Sequence, residues 1–338
     1  MRLRAYITHT PDELGNAFPP DCVEALGRLA DLVHNRQRDT QSGAELAKAA
    51  EGCQIIIAHR SVPGLASTFE IAPQLVAFMR SAVDVSTIDI DAASKHGILV
   101  TRAAAGFSDA VAELGVALML DLARGISRYS RAQSISAMPI RLGLQLRGRT
   151  LGIVGFGRIG RRLAEIALAL GMRVVAYDPH PVETTPSVEK LDLPGVLDIS
   201  DFVVCLAAAN TETAGLFGAA QFAAMKESAY FINLSRGILV DEDALANALD
   251  THEIAGAALD VGLGADQRPT MRFHNRDNAV VTPHIGGVTA EARRYQAEDV
   301  VEQMARLVRG EIPQGAINGP FATRLIRLAE TVERPPEL

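Results

Sequence analysis

The chain has 338 residues, 48% of them hydrophobic and 22% charged, with 33 basic side chains against 40 acidic ones for a net charge of −7. That composition excludes a disordered or collagen-like chain, and the acidic balance gives no bulk attraction for nucleic acid or an anionic membrane. The length suits roughly two domains of ~150 residues each.

In chain order, short apolar runs alternate with helical patterns. The predicted strands are 4–8 (RAYIT), 54–58 (QIIIA), 75–79 (LVAFM), 98–101 (ILVT), 150–155 (TLGIVG), 173–178 (RVVAYD), 202–206 (FVVCL), 229–233 (AYFIN), 255–260 (AGAALD) and 278–282 (NAVVT). Few of them alternate apolar with polar residues, which predicts strands covered on both faces in parallel sheets. The longest helical pattern runs from Phe107 to about Arg131, with Val111, Leu114, Leu118 and Leu122 at helical spacing, Ser108 as the expected N-cap and Asp109 in the first turn. Such a helix either lines a core or joins domains or subunits. Helices are also predicted over 158–170, 241–250 and 289–309. The stretch 132–149 reads as irregular, and the tail after Asn318 as loosely held. The βαβ rhythm implies doubly wound α/β sheets. Cys22, Cys53 and Cys205 lie far apart, with no CxxC or Cys/His cluster, so neither disulfides nor a metal site is expected. With no signal-peptide core and no apolar span of ~20 residues, the expected location is the cytoplasm.

The strongest local signal is TLGIVGFGRIGRRLAEIALALGMRVVAYD, where Gly155, Gly157 and Gly160 form G-x-G-x-x-G between a strand and an amphipathic helix. The first glycine permits a tight turn, the second lets a pyrophosphate approach the backbone, and the third lets helix and strand pack closely. Arg158 and Ile159 complete the expected cofactor-binding turn. Asp178 ends the next strand, where its carboxylate accepts bonds from ribose hydroxyls and repels a 2′-phosphate, so NAD is the expected cofactor. The chain has no GxxxxGK[ST], GxSxG or HExxH, which disfavours P-loop, serine-hydrolase and zinc-protease chemistry.

Three later strand ends carry reactive groups: NLSRG (233–237), AALDVG (257–262) and TPHIGG (282–287). Arg236 offers a planar fork of donors for a carboxylate, and His284 is the residue type that exchanges protons near neutral pH. Together with IDIDAASKHGILVT (88–101), AVAELGVALMLDLAR (110–124) and LRGRTLGIVGFGRIG (146–160), these segments resemble, over about residues 54–318, the D-isomer-specific 2-hydroxyacid dehydrogenases.

The resemblance implies a Rossmann domain, 101–285, inserted in a flavodoxin-like substrate domain made of 1–100 and 286–338, with catalysis in the cleft and a homodimer. It implies Arg236 as the substrate-orienting arginine, His284 as the acid/base, Asp260 as the holder of the nicotinamide carboxamide, and Thr211 and Gly286 beside the cofactor. The expected reaction is hydride transfer between NAD and a small D-2-hydroxy acid or 2-keto acid. The alternatives are an NAD-binding sensor or corepressor-like scaffold, or a formate- or phosphite-type dehydrogenase. Two departures matter. Relatives place a glutamate where this chain has Ala265, so Asp266, with Gln267 as the alternative, is expected to support His284; neither serving is the third reading. Relatives have Gly-x-Gly where this chain has SAVDVSTID (81–89), so Ala82 and Val83 supply the expected backbone donors, Asp84 opposes a doubly acidic substrate unless it turns away, and Arg60 is assigned to the substrate's distal end.

Overall fold

The computed structural model describes residues 2–37, 39–131, 139–180 and 186–325. Of the expected loose tail after Asn318, residues 326–338 lie outside the described residues, as does 132–138 of the irregular segment, whereas 319–325 are not loose: Ala322 and Leu325 are buried in the core of the first unit. The chain divides into two compact units, one of Met1–Gly106 with Thr289–Leu338, the other Phe107–Val288.

The first unit carries five parallel strands: β1 (Arg4–Ile7), β2 (Asp31–His34), β3 (Ile55–Ala58), β4 (Ala77–Arg80) and β5 (Leu99–Arg102), in the order β2-β1-β3-β4-β5. That is the flavodoxin-like order. Both faces are covered, which explains the unbroken apolar runs. Ile55 and Ile57 face a layer with Met304 and Leu307, while Ile56 faces Leu46, Phe69 and Phe78. Met304 and Leu307 belong to the helix Ala290–Val308, opened by Thr289, whose hydroxyl accepts from Ala292 N at 3.1 Å. Past it, the buried Asn318 brackets β5: its Oδ1 accepts from Val100 N at 2.7 Å and its Nδ2 donates to Ile98 O at 2.9 Å. The chain's return is therefore part of this unit's core.

The second unit carries β6 (Thr150–Val154), β7 (Arg173–Tyr177), β8 (Val188–Lys190), β9 (Phe202–Cys205), β10 (Tyr230–Asn233), β11 (Gly256–Leu259) and β12 (Ala279–Val281). All are parallel, in the order β12-β11-β10-β9-β6-β7-β8. Leu151, Ile153 and Val204 face one layer and Val154, Val203 and Cys205 the other. The order reverses between β6 and β9, the topological switch point where a crevice opens beyond the strand ends.

Sequence and structure differ at several elements. Strands β2 and β8 were not predicted: both are sheet edges with exposed ends, DLVH and VEK, so burial leaves no apolar run to read. The long helix spans Ser108–Arg124 and stops at Gly125, which takes the left-handed conformation (φ 65°) before a short helix, Ile126–Ser130. Its N-cap is Phe107, not Ser108; Ser108 is the first helical residue, and the cap has no side-chain bond. Val111, Ala112, Gly115, Leu118 and Met119 of this helix are buried in the core of the second unit.

Candidate active site

The three glycines behave differently in space. Gly155, at φ +100°, sits so close to the loop after β9 that a Cβ would lie 2.4 Å from Ala207 N. A Cβ on Gly160 would lie 2.5 Å from the Gly155 carbonyl oxygen, so this glycine allows helix Arg158–Ala169 to seat on the turn. At Gly157, the helix N-cap, a Cβ would meet nothing within 4 Å. The turn is thus packed from behind and open in front, where the first N–H groups of a twelve-residue helix are exposed to an anion. A dinucleotide pyrophosphate fits this cradle.

Asp178 follows β7, and its carboxylate accepts from Phe156 N at 2.8 Å and His180 N at 3.0 Å. One acid thus ties the ribose end of the strand to the glycine turn. Arg162 points elsewhere, pairing with Asp109 at 2.5 Å and Glu165 at 2.9 Å. Arg158 is exposed at the first helical position and Ile159 half-buried beside it. Thr211 is exposed in a turn that Asn210 closes by accepting from Glu212 N and Thr213 N.

Register aligns the remaining groups. Asn233, Leu259 and Val281 are lateral neighbours across β10, β11 and β12, so Arg236, Asp260 and His284 leave one sheet edge side by side. The buried Asn233 shapes the first loop: its Oδ1 accepts from Ser235 N at 3.0 Å and its Nδ2 donates to Arg236 O at 3.0 Å. Arg236 Nη1 donates to Ser235 O at 2.8 Å, which leaves further donors of its fork for a ligand. Gly237 then lies against the second loop so tightly that a Cβ would fall 2.2 Å from Gly262 C.

Asp260 is 2% exposed and organises the third loop. Its Oδ1 accepts from Thr282 Oγ1 at 2.6 Å and Ile285 N at 2.8 Å, and its Oδ2 from Gly286 N at 2.8 Å. His284 is held between these points in the left-handed region, φ 60°. Its Nδ1 lies 3.2 Å from the backbone carbonyl oxygen of Asp266. The part of residue 266 that meets the ring is therefore its carbonyl, while its carboxylate reaches to 3.9 Å from Arg268 Nη2.

In the first unit, the ends of β1, β3 and β4 bring together His9, His59, Arg60, Arg80 and Ser81. Arg80 is fully buried: it donates to the His59 carbonyl, to Val62 O at 2.8 Å and to Thr87 Oγ1 at 3.1 Å, pinning the 81–87 loop to the loop after β3. Burial pulls its guanidinium down to about 10, partly offset by the charge of Asp84. Asp84 Oδ1 accepts from Ser86 N at 2.9 Å, closing its own turn. Ala82 and Val83 are half-buried in that loop, and among the described residues neither of their N–H groups donates to a backbone carbonyl. Arg60 is exposed. Among the described residues no group of three or more His, Cys, Asp or Glu could hold a metal ion, and no helix is long and apolar enough to cross a membrane.

Residues 116–286 match the model of the D-isomer specific 2-hydroxyacid dehydrogenase NAD-binding domain. The chain is 37% identical over 271 residues to glyoxylate reductase of Thermococcus litoralis, covering 75% of this chain and 80% of that one. The chain belongs to the D-isomer specific 2-hydroxyacid dehydrogenase family. It is also 32% identical over 328 residues to D-3-phosphoglycerate dehydrogenase of a Synechocystis species, covering 92% of this chain but only 59% of that longer one. Among solved structures, the NAD-complexed D-isomer specific 2-hydroxyacid dehydrogenase of Lactobacillus delbrueckii ssp. bulgaricus superposes with a TM-score of 0.76 at 26% identity, covering 93% of this chain and 99% of that one. The second unit is this family's NAD-binding Rossmann domain.

Three residues that shape these loops carry no assignment from the sequence. Asn233 lies within the NLSRG segment, and an Asn two residues before a turn is a legible loop-former. Arg80 ends an otherwise apolar strand, the sort of buried charge that calls for explanation. Glu242 binds the loop around Asp266, and nothing in its local sequence distinguishes it from an ordinary first-turn acid.

Proposed function

We propose that the protein is an NAD-dependent oxidoreductase that interconverts a small D-2-hydroxy acid and its 2-keto acid. The observation that carries this reading is that Arg236 and His284 follow β10 and β12, on either side of β11, at the same sheet edge that also bears the glycine cradle. Family membership and an NAD-binding domain support it. NAD, held by Gly155, Gly157, Arg158, Ile159, Gly160, Asp178, Thr211, Asp260 and Gly286, supplies hydride exchange at its nicotinamide.

In reduction, Arg236 binds the substrate carboxylate with its paired donors and polarises the neighbouring carbonyl. Because the Asp266 carbonyl can only accept, His284 Nδ1 keeps its hydrogen, and Nε2 delivers the proton to the oxygen of the reacting carbon. Oxidation reverses the transfer, with Nε2 taking the hydroxyl proton. Within the first unit, Ala82 and Val83 are assigned to the carboxylate through their N–H groups, and Arg60 to the distal end of the substrate.

The protein is further proposed to be a cytoplasmic homodimer. Leu142 and Ile140 are fully exposed in a segment laid along the helix end, where Leu144 N donates to Ala123 O at 2.9 Å. Leu120 and Ile126 are exposed as well, and these apolar side chains are proposed to meet a second copy. Light scattering should give twice the chain mass of 36.1 kDa; a monomer mass at micromolar concentration contradicts it. The catalytic reading is tested by following NADH consumption with a panel of 2-keto acids and determining product chirality. Turnover to D-products supports it. Tight NADH binding with no turnover across the panel rejects it in favour of a sensor.

A further inference from the structure

The family's usual carboxylate partner for the histidine is replaced by Ala265 here, and the Asp266 carbonyl stands 3.2 Å from Nδ1 instead. A backbone carbonyl orients a ring only if the loop that bears it is itself fixed. This loop is costly to hold: Asp266 and Gln267 both adopt positive φ, 54° and 57°, a region disfavoured by steric contact at Cβ. Bonds within the loop hold its middle, Gly262 N to Gln267 O and Gly264 N to Arg268 O, both 2.9 Å.

Its two ends are held by one side chain from another element. Glu242, the first residue of helix Glu242–Asp250, accepts from Leu263 N at 3.1 Å through Oε1 and from Thr270 Oγ1 at 2.7 Å through Oε2. Only a glycine fits where this carboxylate passes the loop: a Cβ on Gly262 would lie 3.1 Å from Glu242 Oε1 and 2.6 Å from Pro269 Cα. The helix that presents Glu242 is anchored in turn by Asp241, whose Oδ1 accepts from Asp243 N and Ala244 N.

We propose that Glu242 is a positioning residue for His284: by clamping both ends of the 263–270 loop it aims the Asp266 carbonyl at Nδ1 and so selects the tautomer that exchanges protons at Nε2. The inference rests on the dehydrogenase reading for its catalytic consequence, but its structural half is measurable without substrate.

Long-range 1H–15N spectra of the intact protein at alkaline pH should show His284 as the Nδ1–H tautomer. Glu242→Ala should give a mixture of tautomers and lower kcat for keto-acid reduction by about ten-fold or more, with NADH affinity within about two-fold. Glu242→Gln keeps an oxygen for Leu263 N–H and offers an amide N–H to the Thr270 hydroxyl oxygen, so it should restore the single tautomer and bring kcat to within about three-fold of the parent. Should Glu242→Ala fail to fold, Thr270→Val removes one bond of the clamp and should give an intermediate loss of about three-fold in kcat with a partial tautomer change. An Nε2–H tautomer in the parent overturns the proposal, as do Glu242→Ala and Thr270→Val proteins with parental tautomer and kcat. A tautomer change in a protein that reduces no 2-keto acid keeps Glu242's positioning role and rejects the dehydrogenase reading instead.

Discussion

Asp178 shows how much one side chain decides. Its carboxylate is fixed by Phe156 N–H and His180 N–H, so it is preoriented rather than free to swing away from a ribose. A 2′-phosphate would meet a held negative charge, and NADH should bind more tightly than NADPH. Asp178→Ala should narrow that preference by about ten-fold or more, on the scale of a charge-assisted hydrogen bond plus a relieved repulsion; titration calorimetry with both cofactors checks it, and equal affinity in the parent contradicts it. The side chains proposed for chemistry could be named from sequence because their residue types fit the chemistry and their motifs sit at strand ends. The partner of His284 could not. Sequence reasoning weighs side chains, and both Asp266 and Gln267 were weighed that way, whereas the contact is made by a backbone oxygen whose direction depends on two left-handed residues and on Glu242.

Among the elements, the strand–turn–helix at β6 was legible in full because steric demand leaves its mark as glycine. The structure separates the three glycines by function and predicts different outcomes for the same substitution. Gly157→Ala puts a methyl into open space at an ordinary φ of −77°, so the fold should be nearly unaffected while NADH affinity drops by about ten-fold or more through lost backbone approach. Gly160→Ala forces a methyl against the Gly155 carbonyl and should cost about 1–3 kcal/mol of stability. Urea unfolding and NADH titration separate the two; a Gly157→Ala protein that binds NADH normally contradicts the cradle. Elsewhere, strands buried on both faces were legible as apolar runs, whereas the edge strands β2 and β8, exposed along one side, were not. The long helix was over-extended because Gly125 lies inside an otherwise continuous pattern and its left-handed φ is a matter of geometry.

At the scale of the molecule, the first unit stores a pH dependence in a buried histidine. His9 is 1% exposed, its ring edge-on to Phe18 and His59, with Nε2 3.1 Å from Ser81 Oγ. Burial first, then the charges of His59, Arg80 and Arg293, lower it to about 3. The unfolded chain takes up that proton near the ordinary value of 6.5 and the folded chain does not, so the contribution is whole above 6.5 and is lost as pH falls toward 3. Between pH 7 and 5 this amounts to about 2 kcal/mol. His59, also lowered chiefly by burial, adds in the same direction. Urea midpoints should fall on acidification, and His9→Gln should remove much of that slope; a parental slope in the variant contradicts the assignment.

The two units have the flavodoxin-like and Rossmann strand orders, and the second presents its cofactor turn and its reactive side chains along one edge. The most direct test of that account compares the parent with His284→Ala and Arg236→Lys in reduction of the best 2-keto acid by NADH, with NADH affinity measured alongside. Each variant should lose about 100-fold or more in kcat/KM, since one lacks the proton carrier and the other the two-pronged grip, with cofactor affinity near the parent's. Variants that keep parental kcat/KM, or that lose activity only as far as they lose NADH, would contradict it.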